Sequence, residues 1–350
     1  MIKKEGYLNY IHLFRGFAIL IIVSIHCRIS FAWPKSSISR DIFITLLDNG
    51  TVLFVFIAGF LFQYLKAKFD YPVYLKRKAQ YVLIPYLLVS IPAIAADLYS
   101  ADVPAWMPES IADGPAILQA LYMLASGKHL GPFWFIPMIV IFYIISPILL
   151  KLDKPWFYKT ILPFLLIFTL FTYRFGFFST TWHSFIHYLP VYVFGMCAGY
   201  YRLKIMQLPW LVIGLLAGIY LTIATLEVID FIEIPKLSSF EEAKTAPFFA
   251  FNFAKLKVMI LCIIMLKVFH EVDRELALFK LLGDYSFGIY FVHLYVITVV
   301  EMVVKSTMPD FRLGALTFLL YVVIVTSISV LIVWIVKRIF GKYSRYMIGS

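Results

Sequence analysis

Ten apolar runs, each about as long as a bilayer is thick, restrict the folds open to this chain. A helix needs about 20 residues to cross the roughly 30 Å of hydrocarbon in a membrane. Since only helices and closed barrels satisfy their backbone hydrogen bonds in lipid, the runs predict an all-α polytopic membrane protein of about ten transmembrane helices. The runs occupy residues 10–32, 43–65, 79–98, 132–150, 157–175, 185–201, 208–227, 253–270, 285–304 and 314–336.

Composition agrees with this prediction and excludes several classes of function. Of the 350 residues, 62% are hydrophobic and 15% are charged, whereas soluble domains have about 45–50% apolar and about 25% charged residues. A soluble fold of this composition would expose large apolar patches, so a soluble enzyme, a disordered chain and a nucleic-acid-binding module are excluded. Since we find no internal repeat, we expect one domain over residues 1–350. We expect its partner to be the lipid bilayer, not nucleic acid, and its location to be the inner or plasma membrane of the cell.

The distribution of positive charge predicts the orientation. With the N-terminus inside, the predicted inner segments hold 19 of the 31 Lys and Arg residues, and the predicted outer segments hold 11. Cytoplasmic loops are enriched in Lys and Arg. Both termini are therefore predicted to be cytoplasmic.

Two of the predicted outer loops are long. Residues 99–131 contain three prolines, a tryptophan and an amphipathic stretch at 117–125, and residues 228–252 carry four acidic side chains. Amphipathic segments with aromatic residues are typical of a membrane surface. These loops are candidates for receiving a polar substrate, and a simple tether is the alternative interpretation.

Arg15 and His26 are the first candidates for chemistry, because an ionisable side chain within a span is costly and marks function by default. Their separation of eleven residues corresponds to about 20° past three helical turns, so both lie on one face about 16 Å apart. A cation near the inner end suits an anionic donor, and an imidazole near the outer end suits a general base. In the alternative interpretation, Arg15 extends to the interface and His26 bonds a neighbouring helix.

The ninth run carries a second polar face. Ser286, Tyr290 and His293 follow the spacing i, i+4 and i+7, which places two hydroxyls and an imidazole on one side of a helix. At membrane depth such groups must meet polar partners or a water-filled cavity. A substrate-binding role and an interhelical hydrogen-bond cluster are both compatible with the pattern.

Two further patterns are weaker. The basic run Lys76-Arg77-Lys78 precedes Pro85 at the predicted cytoplasmic entry of the third span. Such a run anchors a helix by charge alone, and it also suits phosphate binding. His183 and His187 have the i, i+4 spacing of metal ligands, but no Glu lies near them in sequence, so we expect an interfacial pair and no metal site.

Five motifs in order make the chain resemble the acyltransferase 3 family of integral membrane acyltransferases. In the first run, ten residues lie between the Arg and the His of the family motif. The resemblance extends over essentially the whole chain. The motifs in this sequence read LFRGFAILIIVSIH, FVFIAGFL, LKRKAQYVLIPY, GPFWFIPMIVIFYIISP and LGDYSFGIYFVH.

The resemblance implies an acyltransferase that moves an acyl group from cytoplasmic acyl-CoA, with acetyl-CoA the expected donor and no metal. The implied acceptor is a hydroxyl of a cell-surface or secreted polysaccharide or its precursor, so the partners are acyl-CoA and a glycan, and a homo-oligomer is left open. By the motifs, His26 is the essential histidine and Arg15 its partner. Donor or substrate binding is implied for the remaining candidates: Arg77, Lys78, Trp134, Ser286, Tyr290 and His293.

The sequence departs from the family pattern at two places. The usual Ser-Gly of the second span is Ala58-Gly59, so no hydroxyl role applies there. Many members have Arg-x-x-Arg before the proline of the third span, whereas here the basic residues end at Lys78. Donor phosphate binding would then depend on Arg77 and Lys78 alone.

A transporter is the rival function, because a polysaccharide exporter or lipid-linked sugar flippase also needs intramembrane Arg and His. Many transporters contain inverted repeats and paired Gly or Pro interruptions. We find neither pattern in the two halves of this sequence. The sequence therefore favours an acyltransferase.

Overall fold

The computed structural model describes residues 8–34, 37–100, 104–174, 179–232, 251–272 and 276–350, and the predicted acidic loop lies mostly outside them. Within these ranges every regular element is a helix, which confirms the all-α prediction. The α-helices are α1 Asn9–Cys27, α2 Ile38–Leu47, α3 Thr51–Tyr64, α4 Tyr71–Lys78, α5 Ile84–Tyr99, α6 Glu109–Ala112, α7 Ala116–Ser126, α8 Phe135–Ile144, α9 Ser146–Leu152, α10 Pro155–Leu170, α11 Thr181–Tyr200, α12 Arg202–Met206, α13 Trp210–Val228, α14 Phe253–Val272, α15 Ala277–Thr307, α16 Ala315–Phe340 and α17 Ser344–Ile348.

Among the described residues, six helical segments are long and apolar enough to span a membrane. The bent pair of Ala116–Ser126 and Gly131–Ile144, with an angle of 73°, gives a seventh if it is a single span. The six are Asn9–Cys27, Ile38–Tyr64, Tyr71–Tyr99, Trp210–Val228, Ala277–Thr307 and Ala315–Ile348. The protein is therefore a multi-pass membrane protein, and the number ten stays a prediction.

The helix ends differ from the predicted limits of the apolar runs. α1 ends at Cys27 rather than continuing to residue 32. Beyond its end the chain pairs outside the helix, since the Ala32 carbonyl accepts a hydrogen bond from Leu313 N at 2.9 Å. α15 begins at Ala277, eight residues before its predicted start. Its first turns are rich in Leu, Phe and Lys, most of which favour helix.

The described chain divides into two compact units whose segments alternate along the sequence. Unit 1 contains the described residues of Met1–Leu65, Val191–Ile234 and Phe251–Ile332. Unit 2 contains those of Lys66–Pro190 and Val333–Ser350.

In unit 1, α1 and α15 pack at very short range. A Cβ on Gly16 would lie 2.0 Å from the Phe279 carbonyl oxygen, and one on Gly283 would lie 2.5 Å from that of His12. Only glycine permits such an approach of two helix backbones, as is common between membrane helices. These two glycines bring the polar faces of α1 and α15 together.

Contacts at both ends of α1 show whether the neighbouring helices in unit 1 run parallel or antiparallel to it. Near its start, the Tyr10 ring lies 6.3 Å from that of Phe60 late in α3 and 5.5 Å from that of His270 late in α14. Beyond its end, Tyr321 early in α16 donates to the Ser30 hydroxyl at 3.2 Å. α3, α14 and α16 are therefore antiparallel to α1.

A buried ion pair joins α13 to α14 within unit 1. Lys257 near the start of α14 contacts Glu227 near the end of α13, and both side chains are fully buried. The Lys257 Nζ also donates to the Thr45 carbonyl at 2.6 Å, while Glu227 Oε1 has no hydrogen-bond partner among the described residues. Lys255, on the same turn, is equally buried. The contact makes α13 antiparallel to α14.

In unit 2, α4 and α5 form one helical segment interrupted by a π-helix at Ala79–Leu83. Pro85 has no N–H, so the Tyr81 carbonyl loses its usual donor four residues later. The backbone accommodates this loss by a local shift of hydrogen-bond register, a feature found often at functional sites. The basic run ends directly before the π-helix.

The predicted amphipathic stretch at 117–125 forms α7, which packs on α5 in unit 2. The Tyr86 hydroxyl donates to the Leu124 carbonyl at 2.7 Å. His129, just after α7, lies within hydrogen-bond distance of the Ser90 hydroxyl at 2.8 Å and the Met123 carbonyl at 3.0 Å. These bonds fix the turn between α7 and α8.

Candidate functional site

Arg15 and Ser286 meet where α1 packs on α15. An Arg15 Nη2 donates to the Ser286 hydroxyl at 2.8 Å, and that hydroxyl donates to the Gly283 carbonyl at 3.0 Å. Ser286 is buried, with 1% of its surface exposed. A bond from a planar guanidinium to a fixed acceptor limits the directions in which the other N–H groups of Arg15 can point.

His12, one turn before Arg15 on α1, also contacts α15. Its Nε2 lies 3.1 Å from Asp284 Oδ1 and 3.2 Å from the Lys280 carbonyl oxygen. The carboxylate of Asp284 is half exposed, whereas the His12 ring is nearly buried. This pair lies next to Arg15 and belongs to the packing of α1 on α15.

His26 and His293 form the second polar contact between α1 and α15. Their ring centroids are 5.3 Å apart and their planes are inclined at 40°. The His293 ring is completely buried, and its Nδ1 lies 2.9 Å from the carbonyl oxygens of Ile289 and Tyr290. The His26 ring is half-buried. α1 and α15 are thus parallel, since Arg15 and His26 match Ser286 and His293 in order.

Tyr290 completes the predicted polar face of α15 and is 8% exposed. Its ring centroid lies 6.4 Å from that of His293 and 5.3 Å from that of Phe291. Unit 1 therefore brings together five of the eight residues that the sequence singled out: Arg15, His26, Ser286, Tyr290 and His293. The other three lie in unit 2.

The residues of the basic run in unit 2 differ in their surroundings. Arg77 is exposed, and the Lys78 Nζ lies 4.7 Å from the ring centroid of Tyr143. From the C-terminal segment, the Arg345 guanidinium lies 5.6 Å from the ring centroid of Tyr81 in the π-helix. Arg345 therefore adds a cation beside the segment that lacks the second arginine of the family pattern. The two residues are far apart in the chain, so no local pattern in the sequence indicates this contact.

Trp134 contacts both a cation and an aromatic ring in unit 2. The Arg174 guanidinium carbon is 3.4 Å from the Trp134 ring centroid, and the Tyr188 ring stacks on Trp134 at 5.8 Å and 23°. Arg174 Nε donates to the Ser184 hydroxyl at 3.1 Å. Arg174 is 40 positions from Trp134 in the sequence, and no local motif marks it as a partner of that ring.

The second histidine pair lies in unit 2, at the start of α11. The ring centroids of His183 and His187 are 6.3 Å apart, and His187 Nδ1 lies 3.2 Å from the Thr172 hydroxyl. In the described parts of the chain, no three His, Cys, Asp or Glu side chains are grouped as metal ligands would be. The contact with Thr172 is an ordinary packing contact between α11 and the segment after α10.

Comparison with known proteins identifies the family. A family model described as an acyltransferase domain, the acyltransferase 3 model, matches residues 8–338. This range contains every candidate that the sequence singled out, from Arg15 to His293, and excludes Arg345. Neither the curated proteins nor the solved structures give a significant match. With nearly its whole length matched, the chain belongs to the acyltransferase 3 family.

Proposed function

We propose that this protein is a membrane O-acyltransferase. It transfers an acyl group, expected to be acetyl, from cytoplasmic acyl-CoA to a hydroxyl of a cell-surface or secreted polysaccharide or its precursor. Membership of an acyltransferase family supports acyl transfer. The observation that supports a specific chemistry is the line of polar groups between α1 and α15, with a guanidinium near one end and two imidazoles near the other.

In the proposed reaction, His26 acts as the general base. It removes the proton from the acceptor hydroxyl as the oxygen attacks the thioester carbonyl, which gives a tetrahedral intermediate. Collapse of the intermediate forms the ester and breaks the carbon–sulfur bond. The leaving CoA thiolate takes the proton back from His26. A thioester has a good leaving group, so this scheme needs no metal.

Arg15 is proposed to bind the donor. A guanidinium presents a planar fork of N–H groups that matches phosphate oxygens, and Ser286 holds one end of this fork in place. Arg77, Lys78 and Arg345 are proposed to attract the donor at the cytoplasmic side, since each is a cation near the start of α5. Trp134 is proposed to line the path of a substrate.

Substitution of Arg15 should weaken donor binding. Arg15→Ala is expected to raise the Kd for acetyl-CoA about 10- to 100-fold, because hydrogen bonds to a charged group contribute about 1.5–3 kcal/mol. Arg15→Lys keeps the charge but loses the planar fork, so we expect a smaller but clear loss. Isothermal titration of acetyl-CoA into detergent-solubilised protein measures both.

Ser286→Ala is the matched control for Arg15, since it removes the partner and leaves the guanidinium. Its Kd for acetyl-CoA is expected to change less than that of Arg15→Ala. If Arg15→Ala bound acetyl-CoA as tightly as the unchanged protein, Arg15 would have only a packing role.

We further propose ten spans with both termini in the cytoplasm. Consecutive spans must alternate in direction, and α1, α13 and α15 run the same way in unit 1. An odd number of spans must therefore lie between α1 and α13. Five helices would supply it: α3, α5, α8, α10 and α11. Likewise α14 must cross between α13 and α15, although it carries three lysines and a glutamate.

Cysteine labelling tests this topology at two exposed positions of unit 1. Lys204, in α12, is predicted inside, and Asp310, between α15 and α16, is predicted outside. In intact cells, a membrane-impermeant maleimide should modify Asp310→Cys and leave Lys204→Cys unmodified until the cells are lysed. The unchanged protein controls for its three native cysteines, two of which are buried. Labelling of Lys204→Cys alone would invert the donor and acceptor sides.

An assay of the purified protein separates the proposed enzyme from the rival exporter or flippase. Incubation with radiolabelled acetyl-CoA and a panel of cell-surface and secreted polysaccharides should produce labelled ester on a glycan, released by mild base. A transporter produces no labelled ester. If membranes containing the protein moved glycan while the purified protein formed no ester with any acceptor, the proposal would fail.

A further inference from the structure

His293 carries a buried hydrogen-bond acceptor for which the described residues show no donor. Its Nδ1 lies 2.9 Å from two carbonyl oxygens, those of Ile289 and Tyr290. Carbonyl oxygens only accept, so Nδ1 bears the hydrogen and Nε2 bears the lone pair. Within the described residues this buried Nε2 has no partner. An unsatisfied buried group costs about 1–3 kcal/mol, so its presence in a native fold calls for an explanation.

The ring of His26 lies at the distance that would satisfy this acceptor. Two imidazoles joined by an N–H···N bond of about 2.9–3.0 Å have ring centres slightly more than about 5 Å apart, because each nitrogen lies roughly 1.1 Å from its ring centre. The observed separation of centroids is 5.3 Å. Rotation about χ2 of His26, a soft torsion between sp³ and sp² atoms, reorients its N–H without moving the ring centre far.

Among the described residues, His26 has no other hydrogen-bond partner that could orient its ring. In the part of the chain that the structure describes, no side chain or backbone group forms a hydrogen bond with its ring nitrogens. In hydrolase triads a buried carboxylate fixes the tautomer of the basic histidine. A neutral acceptor such as His293 Nε2 can do the same at membrane depth without the cost of a buried charge.

We propose that His293 is the positioning residue of His26, an inference that rests on the proposed role of His26 as general base. The Nε2 of His293 accepts the N–H of one His26 nitrogen, which leaves the lone pair of the other nitrogen directed at the acceptor hydroxyl. During transfer, His26 gains the hydroxyl proton on that second nitrogen and returns it to the CoA thiolate. The proton shared with His293 stays on His26, so His293 remains neutral throughout.

Two substitutions of His293 test the proposal. Gln can donate its amide N–H to the carbonyls of residues 289 and 290 and accept from His26 with its oxygen, whereas Leu can do neither. His293→Leu is expected to lower kcat about 10- to 100-fold with the KM for acetyl-CoA unchanged, as the loss of a hydrogen bond to a charged group implies. His293→Gln is expected to recover most of this loss.

Each contrary result has a distinct meaning. Equal inactivity of His293→Gln and His293→Leu would make His293 a proton acceptor in its own right and overturn the positioning role. Unchanged kcat per folded molecule in His293→Leu, even with a lower melting temperature, would also overturn it. The proposed role of His26 as general base has its own test, because that role fails if His26→Gln is active. Nitrogen-15 NMR of labelled histidine adds a readout, since one His26 tautomer should dominate only when residue 293 can accept.

Discussion

His26→Gln is expected to reduce acyl transfer about 10²–10⁴-fold, the usual contribution of a general base. Glutamine keeps hydrogen-bonding capacity and similar bulk but cannot accept the proton of the acceptor hydroxyl. His26→Ala should be at least as inactive. Binding of acetyl-CoA should be retained in both variants, because Arg15 and Ser286 lie about 16 Å away along the helix. Labelled ester per unit of folded protein measures the loss.

The opposite expectation would follow if His26 only joined two helices. Glutamine would then rescue activity, and alanine would act through a lower melting temperature. His12→Gln is the matched control, because His12 is on the same helix and bonds Asp284 and the Lys280 carbonyl directly. We expect it to lower stability moderately and to leave kcat per folded molecule near that of the unchanged protein. Activity of His26→Gln near the unchanged level would refute the general-base role.

Helical periodicity predicted the two polar faces of this site but not their contact. The spacing of Arg15 and His26, and that of Ser286 and His293, follows from the rise and turn of one helix. That these faces meet depends on Gly16 and Gly283, which let α1 approach α15. Residues 271 positions apart form the Arg15–Ser286 bond, and no local pattern contains that information.

Predicting the helices was easier than predicting which of them span the membrane. Every apolar run corresponds mainly to helix, because backbone hydrogen bonding and side-chain periodicity act locally. A count of spans depends also on charges, and α14 shows the difficulty, since its lysines lower its average hydropathy while Lys255 and Lys257 are buried in unit 1. Both lysines lie near the start of the apolar run 253–270, and no pattern in the sequence reveals Glu227 as the partner of Lys257.

The buried pair of Glu227 and Lys257 gives the largest expected effect on stability. Among the described residues, Glu227→Ala would leave the fully buried ammonium of Lys257 with the Thr45 carbonyl as its one partner, and breaking one partner of a buried ion pair costs about 3–5 kcal/mol. We expect a strongly lowered melting temperature and a low yield of folded protein. Glu301→Ala is the matched control, since its salt bridge with Lys305 lies at a partly exposed i, i+4 position and such pairs contribute about 0–1 kcal/mol.

Replacing both partners separates the cost of an unpaired charge from the value of the pair. In the double variant Glu227→Leu with Lys257→Met, no charge is left uncompensated, and buried pairs replaced by apolar residues of similar volume are often neutral or more stable. The double variant should therefore recover the melting temperature that Glu227→Ala loses. Recovery of stability together with normal acyl transfer would show that the pair serves only the packing of α13 on α14. If the double variant were as unstable as Glu227→Ala, uncompensated charge could not be the cause, because neither ion remains.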